Sequence, residues 1–356
     1  MKGLITAVTN KKHIKKALAA ACISLSCAAG TASVQAEETL SLYNWGDYIN
    51  PEILTRFTEE TGIKVTLDTY SSNEEMLAKL QAGASGYDII FPSVHMQDIM
   101  SHLNMLEKTD INKSAGFENI DTRHLKAATD PKGEYCLPYA WGTVGIVYNK
   151  KAVGELSSWK EFFALPGQGK KIAMLDDMRE DIGVALIMNG NSVNSVEPSE
   201  LKEAQAFLLE KKPLVSAFTY DSIPMVQAGD IAAAQWYVGA MMYVQQDPEN
   251  LAYVIPEEGA TMYQENMCVL KSAPHKSNAK KFLEFFMKPE IAAMNAAQQT
   301  NGTINKAAIP LLPADLRDNP SVNPPAEVME KLQMFESLGK GIKLYDRVWT
   351  KFRTAS

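Results

Sequence analysis

The sequence predicts an α/β protein, on three observations. Strand-like apolar runs and helix-period segments alternate in the order β-α-β-α-β from Leu40 to Pro92. The run "YDIIFP" is short and apolar, as in a strand buried on both faces of a parallel sheet. The alternation continues less cleanly beyond that, with no internal repeat and no low-complexity linker.

The first 36 residues read as a leader. Lys11, Lys12, Lys15 and Lys16 form a basic segment, and Ala17 to Ala29 is small and apolar. Val34-Gln35-Ala36 then fits a small-residue cleavage site before Glu37. Neither Cys22 nor Cys27 has a large aliphatic residue three positions before it, so plain cleavage after Ala36 is expected rather than lipid attachment. No later stretch reaches ~18 consecutive apolar residues.

In "LSLYNWGDYIN", Leu40 and Leu42 alternate with Ser41 as in a half-buried strand. Asn50 before Pro51 predicts an N-cap and first helical position, and Ile53, Leu54 and Phe57 recur at helical spacing until Thr61-Gly62. "IKVTLDTY" reads as a strand. Ser72 and Glu75 form a capping-box pair for "EEMLAKLQAG". "YCLPYAWGTVGIVYN" is extended, "SSWKEFFAL" starts a helix and "GKKIAML" is a strand. Helices follow in "REDIGVALIMNG" and "SELKEAQAFLLEKK", then the strand "VSAFTY", the helix "SIPMVQAGD" and the strand "IAAAQWYV". "LAYVIPEEGATMYQENMCVLK" is extended and broken at Pro256 and Gly259. Two helices meet at Lys288-Pro289, and "PAEVMEKLQMFESL" and "LYDRVWTKFR" are predicted to close the chain as helices. Two domains are expected at this length, joined by short connections crossed more than once.

Composition and motifs exclude several classes. The formal net charge is −7, and about −12 once the five lysines of the leader are removed. Such a chain is a poor partner for nucleic acid or an anionic membrane. There is no G-x-S-x-G, H-E-x-x-H or C-x-x-C, and "PGQGKK" lacks the first Gly and final Ser/Thr of a phosphate loop. No catalytic residue, metal site or cofactor is expected. Cys136 and Cys268 leave two readings open, one disulfide or two buried thiols.

Ligands of open α/β sheets bind beyond the carboxyl ends of strands. Polar and aromatic candidates fall there in five places: Trp45, Asp47 and Tyr48; Ser93 and His95; Asp177 and Glu180; Trp236 and Tyr237; Tyr263 and Glu265. Each has a structural alternative. Trp45 and Tyr48 could be core aromatics, and Asp177 and Glu180 could answer a helix dipole. Glu265 is harder to dismiss, because it interrupts an apolar extended run. Carboxylates interleaved with aromatic faces suit an aliphatic polyamine, whose ammonium groups need acids and whose methylenes need rings. A neutral sugar would need no fixed charge. An amino acid would need an Arg, and Arg179 is the one in these segments.

The segments "YNWGDYINPEILTRFTEETGIKV", "SNEEMLAKLQAG", "YDIIFPS", "LPYAWGTVGIVYN", "LDDMRE", "PEEGATMYQENMCVL" and "LYDRVWTKF" resemble the bacterial periplasmic spermidine/putrescine-binding proteins. These are the solute-binding components of polyamine ABC transporters, and the resemblance runs from about Leu40 to the C-terminus. It implies a two-lobe, type II periplasmic binding protein fold with ligand in the cleft. The N-terminal lobe would be 37–141 plus 266–309 and the C-terminal lobe 142–265 plus 310–356. It implies a periplasmic monomer that binds a polyamine through Trp45, Asp47, Tyr48, Ser93, His95, Asp177, Glu180, Tyr237, Tyr263 and Glu265. Departures from the family pattern are Gly46, His95, Tyr237, Ala240 and Asn301. The acid of putrescine binders is replaced by Ala240, so a spermidine-like triamine is expected over putrescine. The implied partner is an inner-membrane ABC permease. The alternative output is the periplasmic domain of a membrane signalling receptor that would read the same clamp.

Overall fold

The computed structural model describes residues 38–355; the expected leader and the expected cleavage after Ala36 lie outside the described residues. The strands are β1 (Thr39–Trp45), β2 (Lys64–Tyr70), β3 (Ile89–Ile90), β4 (Cys136–Asn149), β5 (Ile172–Met174), β6 (Val215–Phe218), β7 (Ala233–Tyr237), β8 (Leu251–Val254), β9 (Ala260–Val269), β10 (Gly302–Thr303) and β11 (Leu332–Met334). Their order is β2-β1-β3-β9-β4-β7-β5-β6, with β8 and β10 paired to β4 and β11 paired to β9.

Two parallel groups flank a long antiparallel pair. β1 runs parallel to β2 and β3, and β5 runs parallel to β6 and β7. β4 and β9 lie antiparallel between them: β9 pairs with β3, and the second half of β4 pairs with β7 and β8. The sheet is therefore mixed rather than the parallel layer expected. "YDIIFP" contributes only Ile89–Ile90 to it. β4 is buried at 13 of its 14 positions, which explains its unbroken apolar run.

The apolar core divides along the chain. One cluster gathers Leu40, Phe57, Phe91, Leu137, Trp141, Cys268 and Phe282. Others gather Val147 with Ile223 and Ala234, Ile146 with Trp159 and Ile172, and Ile182 with Leu201 and Phe352. β4 and β9 contribute to clusters on both sides.

Local signals behave as their chemistry requires. Asn50 caps the helix Pro51–Thr61 by accepting from the Glu52 N–H at 3.0 Å, and Gly62 ends it at φ 75°. Ser72 caps the helix Asn73–Gln81, accepting from the Glu75 N–H at 3.1 Å. The capping box is displaced by one residue: the Glu75 carboxylate accepts from the N–H and hydroxyl of Ser71.

One predicted helix is corrected. In "PAEVMEKLQMFESL" only Ala326–Met329 is helical, and Leu332–Met334 forms β11, parallel to β9 beside Ala260–Met262. The β9 edge offers backbone groups that must be paired, and the Met334 carbonyl also accepts from Asn194 Nδ2 at 2.8 Å. Such tertiary pairing overrides a local helix preference of a few tenths of a kcal/mol per residue.

Cys136 and Cys268 face each other in the β4–β9 register, with Cα atoms 4.5 Å apart, and form a disulfide. That settles the two readings in favour of the bridge. Among the described residues no group of three or more His, Cys, Asp or Glu could hold a metal ion, and no helix is long and apolar enough to cross a membrane.

Candidate functional site

Alternation along β9 puts Thr261, Tyr263 and Glu265 on one face. The two ends of this row each hold a buried acid. Thr261 Oγ1 donates to Glu180 Oε2 at 2.6 Å. Glu265 Oε2 accepts from Tyr48 Oη at 2.8 Å. Four residues of strand rise separate Thr261 and Glu265 by about 13 Å. Glu180 is 4% exposed and Glu265 7%, and among the described residues no ion pair reaches either. Burial pushes both carboxyls up to about 8, and the neighbouring Asp177 adds to the effect at Glu180. The bonds from Thr261 and Tyr48 pull the other way without cancelling it.

A hydrogen-bonded chain connects Glu265 to Tyr263. Tyr48 Oη, besides donating to Glu265, accepts from Asn301 Nδ2 at 3.0 Å. Asn301 Oδ1 accepts from Tyr263 Oη at 3.0 Å. The Tyr263 ring lies over its register partner Gly142; a Cβ there would meet the phenol oxygen at 2.4 Å.

The turn after β1 is held from β4. Pro138 cannot donate to the ladder, and the β4–β9 register shifts between Pro138 and Ala140. Tyr139 sits at that shift, and its phenol donates to the Tyr48 carbonyl. Trp45 Nε1 donates to the Phe91 carbonyl at 2.8 Å, and its ring packs 4.7 Å from Tyr70. Asp47 adopts φ 51°, with an exposed side chain, and its carbonyl accepts from Gln299 Nε2 at 3.0 Å. Asp47 is thus an outward acid at the turn, while Tyr48 points to the buried one.

Asp177 does two jobs. One oxygen caps the helix Met178–Met188, accepting from the N–H groups of Arg179 and Glu180 at 2.8 and 3.0 Å. The capping alternative is therefore correct for that oxygen. The other accepts from Tyr220 Oη at 2.9 Å. From Tyr220 a row of rings continues: Trp236 at 6.3 Å, Tyr237 a further 6.1 Å, and Tyr263 a further 5.5 Å. The row runs from the third acid to the centre of the β9 face.

Ser93 forms a backbone bridge with Glu265. Its hydroxyl accepts from Asn73 Nδ2 at 2.9 Å and lies 3.0 Å from His95 Nδ1. Burial and the Arg179 guanidinium lower His95 to about 4, so its ring is neutral at physiological pH.

The structure thus joins Tyr48 and Glu265 directly and Tyr263 to them through Asn301, sets Ser93 beside them, and reaches Asp177 and Glu180 through Tyr220, Tyr237 and Thr261. Asn301, Thr261 and Tyr220 are participants that the sequence reading did not select. Thr261 shares the period-two face of Tyr263 and Glu265, and Tyr220 ends the stretch "VSAFTY", two residues past the strand Val215–Phe218, so the strand rules could have found both. A groove elsewhere, lined by Lys108, Lys276, Lys280 and Glu107, matches its own charges through ion pairs such as Lys276–Glu107 at 2.6 Å.

Two parallel groups spanned by an antiparallel pair, with buried acids and aromatics along that pair, define a solute-binding architecture. The chain belongs to the bacterial extracellular solute-binding protein family, whose model matches residues 52–324. It is 35% identical over 349 residues to the putrescine-binding periplasmic protein SpuD of Pseudomonas aeruginosa, covering 92% of this chain and 95% of that protein. It is 32% identical over 348 residues to the spermidine/putrescine-binding periplasmic protein of Salmonella typhimurium, covering 96% and 99%. The structure of the spermidine/putrescine ABC transporter substrate-binding protein PotD from Streptococcus pneumoniae superposes with a TM-score of 0.82 at 35% identity, covering 89% of this chain and 98% of that one. The fold is the two-lobe α/β type II fold, and the resemblance to polyamine-binding proteins holds across the chain. The family is one of solute-binding proteins, not enzymes.

Proposed function

We propose that this protein binds a polyamine, a spermidine-like triamine in preference to putrescine, and closes on it in the periplasm. The observation that carries the reading is the pair of buried carboxyls, Glu180 and Glu265, held by Thr261 and Tyr48 at the two ends of one row on β9 with Tyr263 between them; the Arg179 guanidinium acts on Glu180, but burial outweighs it. A buried carboxylate without a cation is costly, and a ligand ammonium removes that cost. Two acids held at separate points of one strand suit a ligand with more than one cation. The row Tyr220, Trp236, Tyr237 and Tyr263 supplies faces for the intervening methylenes and ammoniums, each cation–π contact being worth ~0.5–2 kcal/mol.

Trp45, Asp47, Ser93 and His95 complete the proposed ligand set, with Asp47 serving the cleft rim. The lobes are assigned as 37–141 plus 266–309 and 142–265 plus 310–356; the core clusters support the division up to Val254, while Met262, Leu332 and Met334 pack with the N-terminal cluster. Closure is a hinge motion about the crossing strands. The closed monomer hands its ligand to an inner-membrane ABC permease. Isothermal calorimetry with diamines, triamines and tetramines tests the ligand; loss of polyamine uptake in a deletion strain tests the partner. Intact uptake in that strain would assign the closed form to a membrane signalling receptor instead.

A further inference from the structure

We infer that Asn301 is a positioning residue that acts through Tyr48 on Glu265 and thereby selects ligands with an inner, secondary ammonium group. The inference rests on the polyamine reading of the site.

The proton inventory of the four side chains carries the argument. Asn301 Nδ2 donates to Tyr48 Oη, so the Tyr48 proton is left for Glu265 Oε2. Tyr263 gives its proton to Asn301 Oδ1. The reversed amide would take the Tyr48 proton for itself and strip Glu265 of that donor. Only the observed orientation gives Glu265 the Tyr48 donor once a ligand ammonium ionises it.

The amide is held in that orientation by its own segment. Asn301 is 2% exposed. Thr300 adopts φ 54°, which a β-branched residue rarely does, and its hydroxyl donates to the Gln299 carbonyl at 2.7 Å. Gln299 is tied to the Asp47 carbonyl, and Gly302 lies against Trp141 so closely that a Cβ would meet the indole at 2.3 Å.

With both phenol protons committed, Glu265 and Tyr263 offer a ligand acceptor oxygens only, Oε1 and Oη. They are two residues apart on one strand face. A secondary ammonium carries two N–H donors and matches them. A terminal ammonium carries three and leaves one unmatched.

The test is calorimetric titration of Asn301→Leu, Tyr48→Phe and the double variant with spermidine and with putrescine. The expected result is a loss of about tenfold or more for spermidine in each single variant. Putrescine should change by less than about threefold, and the double variant should bind spermidine no worse than Tyr48→Phe alone. The pH profile of spermidine binding should also move upward in Asn301→Leu, because Glu265 loses its directed donor. Equal losses for both ligands, additive losses in the double variant, or an unmoved pH profile would overturn the inference. Asn301→Ser replaces Asn301→Leu if the latter does not fold. A parent protein that binds no polyamine would refute the functional reading itself, before any variant is compared.

Discussion

Tyr48 and Glu265 lie 217 residues apart in sequence and share a 2.8 Å hydrogen bond, phenol to carboxylate. The bond ties the turn after the first strand to the middle of the crossing strand β9. It also leaves one carboxylate oxygen for an incoming ammonium. Charge-assisted bonds of that kind are about twice as strong as neutral ones. Glu265→Gln is therefore expected to weaken triamine binding by at least about tenfold. Calorimetry on the variant checks it, and an unchanged affinity would remove Glu265 from the site.

Ligand binding should release protons. Without ligand, burial holds Glu180 and Glu265 at about 8, so both are largely protonated at pH 7. An ammonium placed beside each favours the ionised form and lowers its pKa. Binding near neutrality then expels up to roughly two protons, and affinity rises between about pH 6 and 8. The observed heat should vary with the ionisation enthalpy of the buffer. A heat independent of buffer would show that the carboxyls do not change state.

Asp181 makes a separate prediction about stability. It is fully buried, neither carboxylate oxygen has a hydrogen-bond partner among the described residues, and burial together with Asp177 and Glu180 raises its pKa well above the usual value. A carboxyl raised in the folded state supports stability below its unfolded pKa of about 3.9 and loses that support as pH rises toward the folded value. Asp181→Asn cannot ionise. It should match the parent near pH 4 and exceed it at neutral pH by at least ~1 kcal/mol. Denaturant midpoints at the two pH values measure this; a less stable variant at neutral pH would contradict it.

The Cys136–Cys268 bridge closes a loop across β4 and β9, with the two residues 132 positions apart. Its removal by paired Ser substitutions should cost about 2–4 kcal/mol of stability. The acid-and-aromatic face does not include either sulfur, so polyamine affinity should stay within about threefold of the parent. Thermal unfolding with and without reductant reads the first effect and titration the second.

Legibility in the sequence followed the range of the interactions. The Asn50-Pro51 cap needs only its neighbours, and it was readable. Glu265 betrayed itself by standing in an apolar run. Asp177 was readable as an acid at a strand end, although its split between helix cap and Tyr220 was not. β11 escaped because Leu332–Met334 becomes a strand only beside Ala260–Met262. Asn301 escaped as a participant because its partners, Tyr48 and Tyr263, are 253 and 38 residues away. As a departure from the family pattern it was visible, without a role.

The central claim is that two buried acids and a row of aromatic rings await a polyamine. The direct measurement is calorimetric titration of the unliganded protein with spermidine, putrescine, an amino acid and a neutral sugar. The account predicts one polyamine bound per chain, spermidine more tightly than putrescine, and no heat from the other two. No response to any polyamine, together with saturable binding of the amino acid or the sugar, would contradict it.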